Sequence, residues 1–346
     1  MKNSGILIPG TAHAIIGKRD RIGKEKNRAE DSARMEGIEM TDLKFKPVEA
    51  EDMKVLAPYF GLRPNKTCDS VPLDSFIWRK YYHVQYAIHE NKALLWLMKE
   101  EGVMHSAMPL CKEENLKKYF DMTVEYFNEV LHIPLKIYLA DEEAVEYLHL
   151  KESDDFVVTE QEDLKDYLYD GEAMRKLSGK KLHKKKNHLN AFLKEYEGRY
   201  EFRRLCCSDR DDVWRFLDRW REGKGDEVEE HLDYEVEGIH EILKQCLDLD
   251  IRMSGVYIDG KLEAFTIGSY NPAENMAVIH IEKANPEIRG LYQFINQQFL
   301  VQEFPDVTLV NREDDLGQEG LRHAKMSYNP CGFARKYLVQ QKNFIK

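Results

Sequence analysis

The segment that most constrains the fold is "IRMSGVYIDGKLEAFTIGSYN", at 251–271. Two apolar runs flank Asp259-Gly260, a dipeptide typical of the two-residue turn of a β-hairpin. After it, "MAVIHIEKAN" predicts a strand, "IRGLYQFINQQFLVQEF" predicts a helix by its apolar period, and "VTLVNRE" predicts another strand. A hairpin followed by strand, helix and strand indicates a mixed, mainly antiparallel sheet covered by helices.

The first half of the chain repeats this order. The segment "HVQYAIHENKALLWLMKEEGVMHSAMPL" predicts an antiparallel meander, "KEENLKKYFDMTVEYFNEVLH" a helix and "LKIYLAD" a strand. We therefore predict an α/β (α+β) chain of two tandem units, at 40–165 and 166–346. Residues 1–39 are rich in charge and poor in apolar side chains after their first few residues, which predicts a disordered extension.

Charge and composition exclude several classes of protein. The formal net charge is −11 over 346 residues, so nucleic-acid binding would have to be local. No run approaches the ~20 apolar residues of a membrane-spanning helix. The six cysteines form no C-x-x-C pair, and adjacent Cys206 and Cys207 predict buried thiols rather than a disulfide framework. With no metal-ligand spacing among the histidines, we predict a cytoplasmic protein without a metal site.

The segment "RKLSGKKLHKKKNHLNAF", at 175–192, concentrates positive charge. On one helix over 173–197, Leu182, Leu189, Leu193 and Tyr196 would form an apolar stripe, with the lysines pointing outward. One interpretation is a cradle for the phosphates of tRNA, a nucleotide or a lipid head group. The other is a solvated helix face neutralised by the acidic stretch 151–172. The candidate phosphate-binding residues are Lys180, Lys181, Lys184, Lys185 and Lys186.

The segment "VTLVNREDDLGQEGLRHAKMSYNP" places polar residues where an apolar strand ends. Such strand ends are where α/β folds display site residues. Helix capping is the alternative for Asp314 and Asp315, and core packing is the alternative for Tyr328. The final "GFARKYLVQQ" predicts an edge strand with Arg335 and Lys336 in solvent. The candidates are Asn311, Arg312 and Asp315 for substrate, Asp314 for proton transfer or the substrate amine, and Lys325 and Tyr328 for an oxyanion.

The order of elements over 251–311 resembles the core of the GNAT superfamily of N-acetyltransferases. Two such units in tandem are similar to Fem-type aminoacyltransferases and to the C-terminal domain of lysylphosphatidylglycerol synthase. The segments "LSGKKLHKKKNHLNAF" and "NREDDLGQEGLRHAKMSYNPCGFARKY" resemble a soluble branch of that domain family. The resemblance spans roughly 42–340. It implies transfer of an aminoacyl group from a charged tRNA to a hydroxyl or amine acceptor.

The resemblance also directs attention to two places in the second unit. Acetyltransferases hold pyrophosphate at a helix N-terminus, and "EIRGLY" aligns there, with Arg289 and Gly290 as candidate phosphate contacts. Tyr292 would crowd the pyrophosphate of an acyl-CoA, which disfavours that cofactor. Glu282 lies on the strand that supplies a general base in this fold, and His280 is on the same face. The alternative for Glu282 is an exposed carboxylate paired with Lys283.

These patterns predict an aminoacyltransferase that needs no cofactor. The acceptor would attack an ester carbonyl, Glu282 or Asp314 would take the proton, and the basic segment would hold phosphate. The predicted partners are tRNA and either a phosphate-bearing acceptor or an anionic lipid head group. Two alternatives remain: an acyl-CoA-dependent N-acetyltransferase, and a non-catalytic module that binds RNA or an anionic membrane.

Overall fold

The computed structural model describes residues 43–222, 230–342 and 344, so the predicted extension at 1–39 lies outside the described residues. The strands are β1 Lys46–Pro47, β2 Gln85–His89, β3 Ala93–Glu100, β4 Val103–His105, β5 Leu110–Cys111, β6 Lys136–Asp141, β7 Phe156–Glu160, β8 Asp166–Asp170, β9 Tyr200–Arg204, β10 Arg252–Ile258, β11 Lys261–Asn271, β12 Met276–Ala284, β13 Leu309–Asn311, β14 Gly332–Ala334 and β15 Lys336–Gln341. The α-helices are α1 Met53–Phe60, α2 Pro72–Ile77, α3 Leu116–Glu125, α4 Glu142–Tyr147, α5 Gly171–Lys176, α6 His183–Glu195, α7 Arg210–Glu222, α8 Glu230–Gln245, α9 Leu291–Glu303 and α10 Glu319–Met326.

The second half of the chain builds a seven-stranded sheet in the order β14-β8-β13-β12-β11-β10-β9. Only β12 and β13 pair in parallel within it, since their connection is the crossover helix α9. The hairpin of β10 and β11 turns at Asp259 and Gly260, whose φ angles of 50° and 79° are those of a type I′ turn. The prediction of mixed, mainly antiparallel sheets is confirmed.

The first half builds a matching arrangement from two pieces. Strands β1-β2-β3-β4 pair in order, with β5 beside β3, and a separate sheet has the order β6-β15-β7. A single bridge between Ser106 and Ile137 joins the two pieces. Across the two pieces the strands lie in the spatial order β1-β2-β3-β4-β6-β15-β7. This order corresponds strand for strand to β9-β10-β11-β12-β13-β8-β14 in the second sheet. The two halves of the chain have the same architecture, without a repeated sequence.

The two sheets exchange one inner strand each, since β8 follows the strands of the first sheet along the chain and β15 follows those of the second. Strand β15, at the end of the chain, inserts between β6 and β7, and β8, which follows β7, inserts between β13 and β14. The prediction of an edge strand for "GFARKYLVQQ" is therefore wrong for β15. Lys336 is buried at 1% exposure instead of solvated, because its strand is interior and its side chain points to the centre of the protein.

The predicted basic helix over 173–197 is broken into α5 and α6. Leu177 and Gly179 have φ angles of 45° and 89°, so the chain turns between the two helices, at a Ser-Gly pair that favours turns. The apolar stripe is otherwise present, because Leu182 and Leu189 are buried against α9 and its neighbours. Helix α6 crosses the start of α9 closely: a Cβ atom on Gly290 would lie 2.1 Å from the carbonyl oxygen of His188.

The prediction of buried free thiols at Cys206 and Cys207 is wrong. Cys207, just before α7, forms a disulfide with Cys246, just after α8, while Cys206 is an exposed free thiol. The bond follows from tertiary packing of α7 on α8, which spacing along the sequence does not reveal. Among the described residues, no helix has the length and apolar character needed to cross a bilayer.

Candidate active site

A cavity of about 990 Å³ lies where the two halves of the chain meet. One wall comes from the first sheet and from the loop that carries Thr67, Cys68 and Asp69. The other comes from β12, from the residues after β13 and from α10. The exchanged strand β15 contributes Lys336 to the same cavity. A cavity of this size, with polar groups from both halves, has the properties of a substrate site.

Five carboxylates gather at one end of the cavity, and we call them the acidic cluster. The ammonium of Lys336 lies among them, 2.8 Å from Asp166 Oδ1, 3.3 Å from Asp69 Oδ2 and 3.9 Å from Asp314 Oδ2. The Nζ atom is also 3.1 Å from Cys68 Sγ. The members of the acidic cluster are Asp69, Asp74, Asp166, Glu313 and Asp314.

The acidic cluster has more carboxyl groups than neighbouring ammonium groups. Lys336 and Lys325 supply two positive charges against five carboxyl groups. Burial, together with neighbouring carboxylates, raises the pKa values of Asp74 and Glu313 well above their usual range. Burial also raises the pKa of Asp314 to about 6. The cluster therefore either keeps protons at neutral pH or receives a cationic group.

On β12, Glu282 and His280 are held by hydrogen bonds. Glu282 accepts from Arg312 Nη2 at 2.8 Å and from Asn296 Nδ2 at 2.7 Å, so both its oxygens are engaged. His280 bonds to Ser269 through Nε2 and to Glu313 through Nδ1, at 2.7 and 2.9 Å. Burial lowers the pKa of His280 to about 4, so the ring is neutral and orients Glu313. Both side chains line the cavity, but Glu282 pairs with Arg312, not with Lys283.

Lys325, on α10, and Tyr328, two residues after α10, also line the cavity. The Lys325 ammonium donates to the carbonyl oxygens of Arg312 and Asp314, so it supports the backbone that presents Asp314. Tyr328 is buried, and burial raises its pKa to about 12, so it stays a hydroxyl donor. Its ring is covered by Lys185 Nζ at 4.2 Å and by the Arg312 guanidinium at 4.8 Å.

Of the five candidate phosphate-binding lysines, Lys185 is the one in the cavity wall. Burial, with Arg312 nearby, lowers its pKa. Lys180, Lys181 and Lys184 are exposed and Lys186 is half-buried. The broken basic segment thus presents most of its charge on the outer surface and one ammonium to the cavity.

The other four candidates do not line the cavity. Asn311 is fully buried and donates to Asp166 and to the carbonyl of Lys66, which fixes the loop beside the acidic cluster. Burial would raise the pKa of Asp315, but hydrogen bonds from Arg322 and Tyr167 lower it to about 2. Arg289 is exposed. Gly290 begins α9 at a place already occupied by the carbonyl of His188, so no phosphate fits there.

Sequence reasoning missed Asp69, Asp74, Asp166 and Lys336. Each lies in a different element: a 3-10 turn at Cys68–Ser70, the short helix α2, strand β8 and strand β15. No spacing rule connects positions that far apart, and only the pairing of β8 and β15 across the two sheets brings them together. The local signal was weak as well, because Asp166 and Lys336 each follow a basic residue in an ordinary strand pattern.

Three of these groups also have the arrangement of metal ligands. The Cys68 sulfur and carboxylate oxygens of Asp74 and Glu313 lie within 4.8 Å of one another. The Lys336 ammonium, however, is already 3.1 Å from that sulfur, and burial raises the pKa of the Cys68 thiol well above its usual range. A resident ammonium and a protonated thiol fit a divalent cation poorly.

Comparison with known proteins gives a consistent result. The family model described as "Phosphatidylglycerol lysyltransferase, C-terminal" matches residues 69–340. A crystal structure of a conserved protein of unknown function from Bacteroides thetaiotaomicron is 25% identical, with a TM-score of 0.77, over 87% of this chain and 100% of that chain. L-PGS from Bacillus licheniformis is 15% identical, with a TM-score of 0.61, over 86% of this chain and 94% of that one. FemX is 8% identical, with a TM-score of 0.60, over 87% and 98%. The predicted tandem acetyltransferase-like fold is confirmed.

Proposed function

The chain belongs to the phosphatidylglycerol lysyltransferase C-terminal family, and from that premise we propose that it transfers an aminoacyl group from a charged tRNA to a hydroxyl or amine acceptor. The observation that carries this proposal is that carboxyl groups outnumber ammonium groups in the acidic cluster. An aminoacyl ester has a free α-ammonium beside its reactive carbonyl. A cavity with surplus carboxylates holds such a cation, and the nearby Asp314 can accept a proton.

The proposed reaction is direct transfer. The acceptor oxygen or nitrogen attacks the ester carbonyl, the new acyl bond forms, and the bond to the ribose oxygen of the tRNA breaks. Asp314 takes the proton of the nucleophile and returns it to the leaving ribose oxygen. Glu282 is engaged by Arg312 and Asn296, so it positions Arg312 instead of taking the proton.

The oxyanion of the tetrahedral intermediate needs a donor. Tyr328 supplies a hydroxyl in the cavity wall, where it interacts with the side chains of Arg312 and Gln293. Lys325 already donates to two carbonyl groups, so its role is to support the turn that carries Asp314. Of the predicted catalytic residues, Asp314 and Tyr328 would contact the reacting atoms. Glu282 would position Arg312, and Lys325 would position Asp314.

The outer basic surface is the proposed contact for the tRNA phosphates. Lys180, Lys181, Lys184 and Lys186 form no ion pair with any residue that the structure describes. The acidic stretch 151–172 pairs with other cations: Glu172 with Lys176 at the start of the basic segment, Asp163 with Arg322 and Glu160 with Arg335. That stretch therefore leaves these four lysines available for an external polyanion.

The test is binding of charged tRNA to the full chain. We expect Lys184→Glu with Lys186→Glu to weaken binding by at least about tenfold and to flatten its salt dependence, because phosphate contacts are lost. The matched control reverses Lys54 and Lys92, which are exposed lysines outside the cavity wall. Equal affinities for the two double variants would exclude the basic surface as the tRNA contact.

The alternative of an acyl-CoA-dependent N-acetyltransferase has little room in this structure. Its pyrophosphate would bind at the start of α9, where the carbonyl of His188 packs against Gly290. A non-catalytic RNA- or membrane-binding module predicts retained binding without turnover in any pairing of donor and acceptor. A tRNA donor further implies a cytoplasmic location. For a phosphate-bearing acceptor or a lipid head group, Lys185 is the lysine of the basic segment that lies in the cavity wall.

A further inference from the structure

The end of the cavity formed by the first sheet is aromatic, and we call it the aromatic chamber. The Trp96 and His105 side chains in its wall are buried, at 4% and 2% exposure. The His105 ring meets the Tyr138 ring edge-on, with centroids 4.7 Å apart, and the Tyr82 ring at 6.0 Å. The chamber is defined by Trp78, Tyr82, Trp96, His105 and Tyr138.

Polar atoms in this wall lack partners. Neither ring nitrogen of His105 has a side-chain hydrogen-bond partner among the described residues, and the polar group that interacts with the ring is the Ser106 backbone. Burial lowers the pKa of His105 to about 4, so the ring is neutral and offers one donor and one acceptor. Arg63 Nε and Thr67 Oγ1 are also buried without a partner, and both residues line the cavity. Buried polar groups are normally hydrogen-bonded, so these atoms indicate a polar ligand.

The polar atoms are distributed along the chamber. Arg63 is fixed by a bidentate ion pair with Asp141 on β6, and Tyr138, which contacts His105, lies three residues earlier on the same strand. Three residues of a strand span about 10 Å, close to the length of one substituted ring. Thr67 is followed by Cys68 and Asp69, which lead directly to the acidic cluster.

We propose that the aromatic chamber is the acceptor subsite and that the acceptor is an aryl compound with a ring hydroxyl and a nucleophilic amine. The ring makes edge-to-face contacts with the tryptophans and tyrosines. The hydroxyl bonds to His105, and the amine points to the acidic cluster. A lipid chain would fill the same space but would leave the His105 nitrogens, Arg63 Nε and Thr67 Oγ1 unsatisfied.

That this compound is an acceptor rests on the proposed aminoacyl transfer. In that reaction the amine nitrogen attacks the ester carbonyl, an amide forms, and the ester bond to the tRNA ribose breaks. The amine arrives as an ammonium stabilised by the acidic cluster and loses one proton to solvent before attack. Its second proton passes through Asp314 to the leaving ribose oxygen, so no oxidant, reductant or further reactant is needed.

The test is calorimetric titration of the full chain with two probes that differ by one hydroxyl, tyramine and 2-phenylethylamine. We expect saturable binding of tyramine, at least about tenfold tighter than that of 2-phenylethylamine. His105→Phe keeps an aromatic ring of similar size and should remove this difference. His323→Phe, at an exposed position of α10 outside the cavity wall, should preserve it. His105→Leu is a second variant at the same position in case His105→Phe unfolds.

Several outcomes would overturn the subsite. They are no saturable binding of either amine, equal binding of the two, or a tyramine preference that survives both His105→Phe and His105→Leu. Displacement of tyramine by phosphatidylglycerol vesicles, with vesicle binding unaffected by His105→Phe, would assign the chamber to a lipid chain. The titration uses no tRNA, so its failure is separate from failure of the proposed function. Tyramine binding without an aminoacyl product would leave the subsite intact and remove the transfer reaction.

Discussion

The Lys336 ammonium lies 2.8 Å from the Asp166 carboxylate, and the two side chains are 1% and 0% exposed. Lys336 is on β15 and Asp166 is on β8, the two strands that the halves of the chain exchange. The ion pair therefore joins the two exchanged strands across the boundary between the sheets. The same pair sits at the acidic end of the cavity, so the fold and the candidate active site depend on one interaction.

Lys336→Met is expected to destabilise the protein by about 3–5 kcal/mol, because it leaves buried carboxylates without their counter-charge. The free energy of unfolding in urea measures this. Arg335→Met is the matched control: its side chain is 49% exposed and pairs at the surface, so its loss should cost less than about 1 kcal/mol. Adding Asp166→Asn to Lys336→Met should restore part of the stability. Equal stability of the Lys336 and Arg335 variants would contradict a structural role for the buried pair.

Asp314 predicts the pH dependence of transfer. Burial raises its pKa to about 6, and a general base must be ionised, so kcat/KM should fall as the pH drops below about 6. A carboxyl group with a raised pKa loses its proton later than an ordinary one, so activity falls on the acid side. Asp314→Asn should lower kcat by about 10²- to 10⁴-fold and abolish this limb. A profile unchanged by the substitution would assign the base to another group.

Local patterns predicted most of the elements. The hairpin at Asp259-Gly260, the meander of β2 to β4 and the helix α9 each follow from turn residues or apolar period within about twenty residues. The exchanged strands do not, because the alternation in "GFARKYLVQQ" fits an edge strand and an interior strand equally well. The partners of β15 lie about 180 residues and more before it, and no local rule encodes that pairing.

For the candidate site as well, local sequence identified some residues but not their contacts. Glu282, Asp314, Lys325 and Tyr328 lie in the cavity wall: the first two are near strand ends, where sequence reasoning places site residues, and the last two are in or just after α10. What the sequence could not supply was their charge balance. Whether Asp314 or Glu282 is the free carboxylate depends on Arg312 and Asn296, and on a lysine that was expected to be solvated.

Gly290→Ala tests the closure at the start of α9. The new Cβ atom would lie 2.1 Å from the His188 carbonyl oxygen, and the residue has a φ angle of 84°, so both contact and backbone are strained. We expect a loss of more than about 2 kcal/mol in unfolding free energy. Gly179→Ala separates the two causes: its φ angle is 89°, but nothing lies within 4 Å, so about 1 kcal/mol is expected. If the two variants lose equal stability, the close packing of α6 on α9 contributes little.

The disulfide between Cys207 and Cys246 is expected to stabilise the fold. It closes a loop with a sequence separation of 39, for which chain entropy predicts about 4 kcal/mol of stabilisation. Cys246→Ser, or dithiothreitol on the unaltered protein, should therefore lower the free energy of unfolding by a similar amount. Cys331→Ser, a substitution of an exposed free cysteine, should change little.

The disulfide also bears on where the protein works, since a tRNA donor implies the cytoplasm, where thiols are kept reduced. Helices α7 and α8, which the bond connects, bring Trp220 and Glu235 to the cavity. We expect the oxidised protein to bind tyramine more tightly than the reduced protein, because the fixed helices hold that wall in place. Alkylation and mass spectrometry of the protein isolated under acid quench measure its state in the cell. Equal affinity and stability in both states would show that the bond has no bearing on the site.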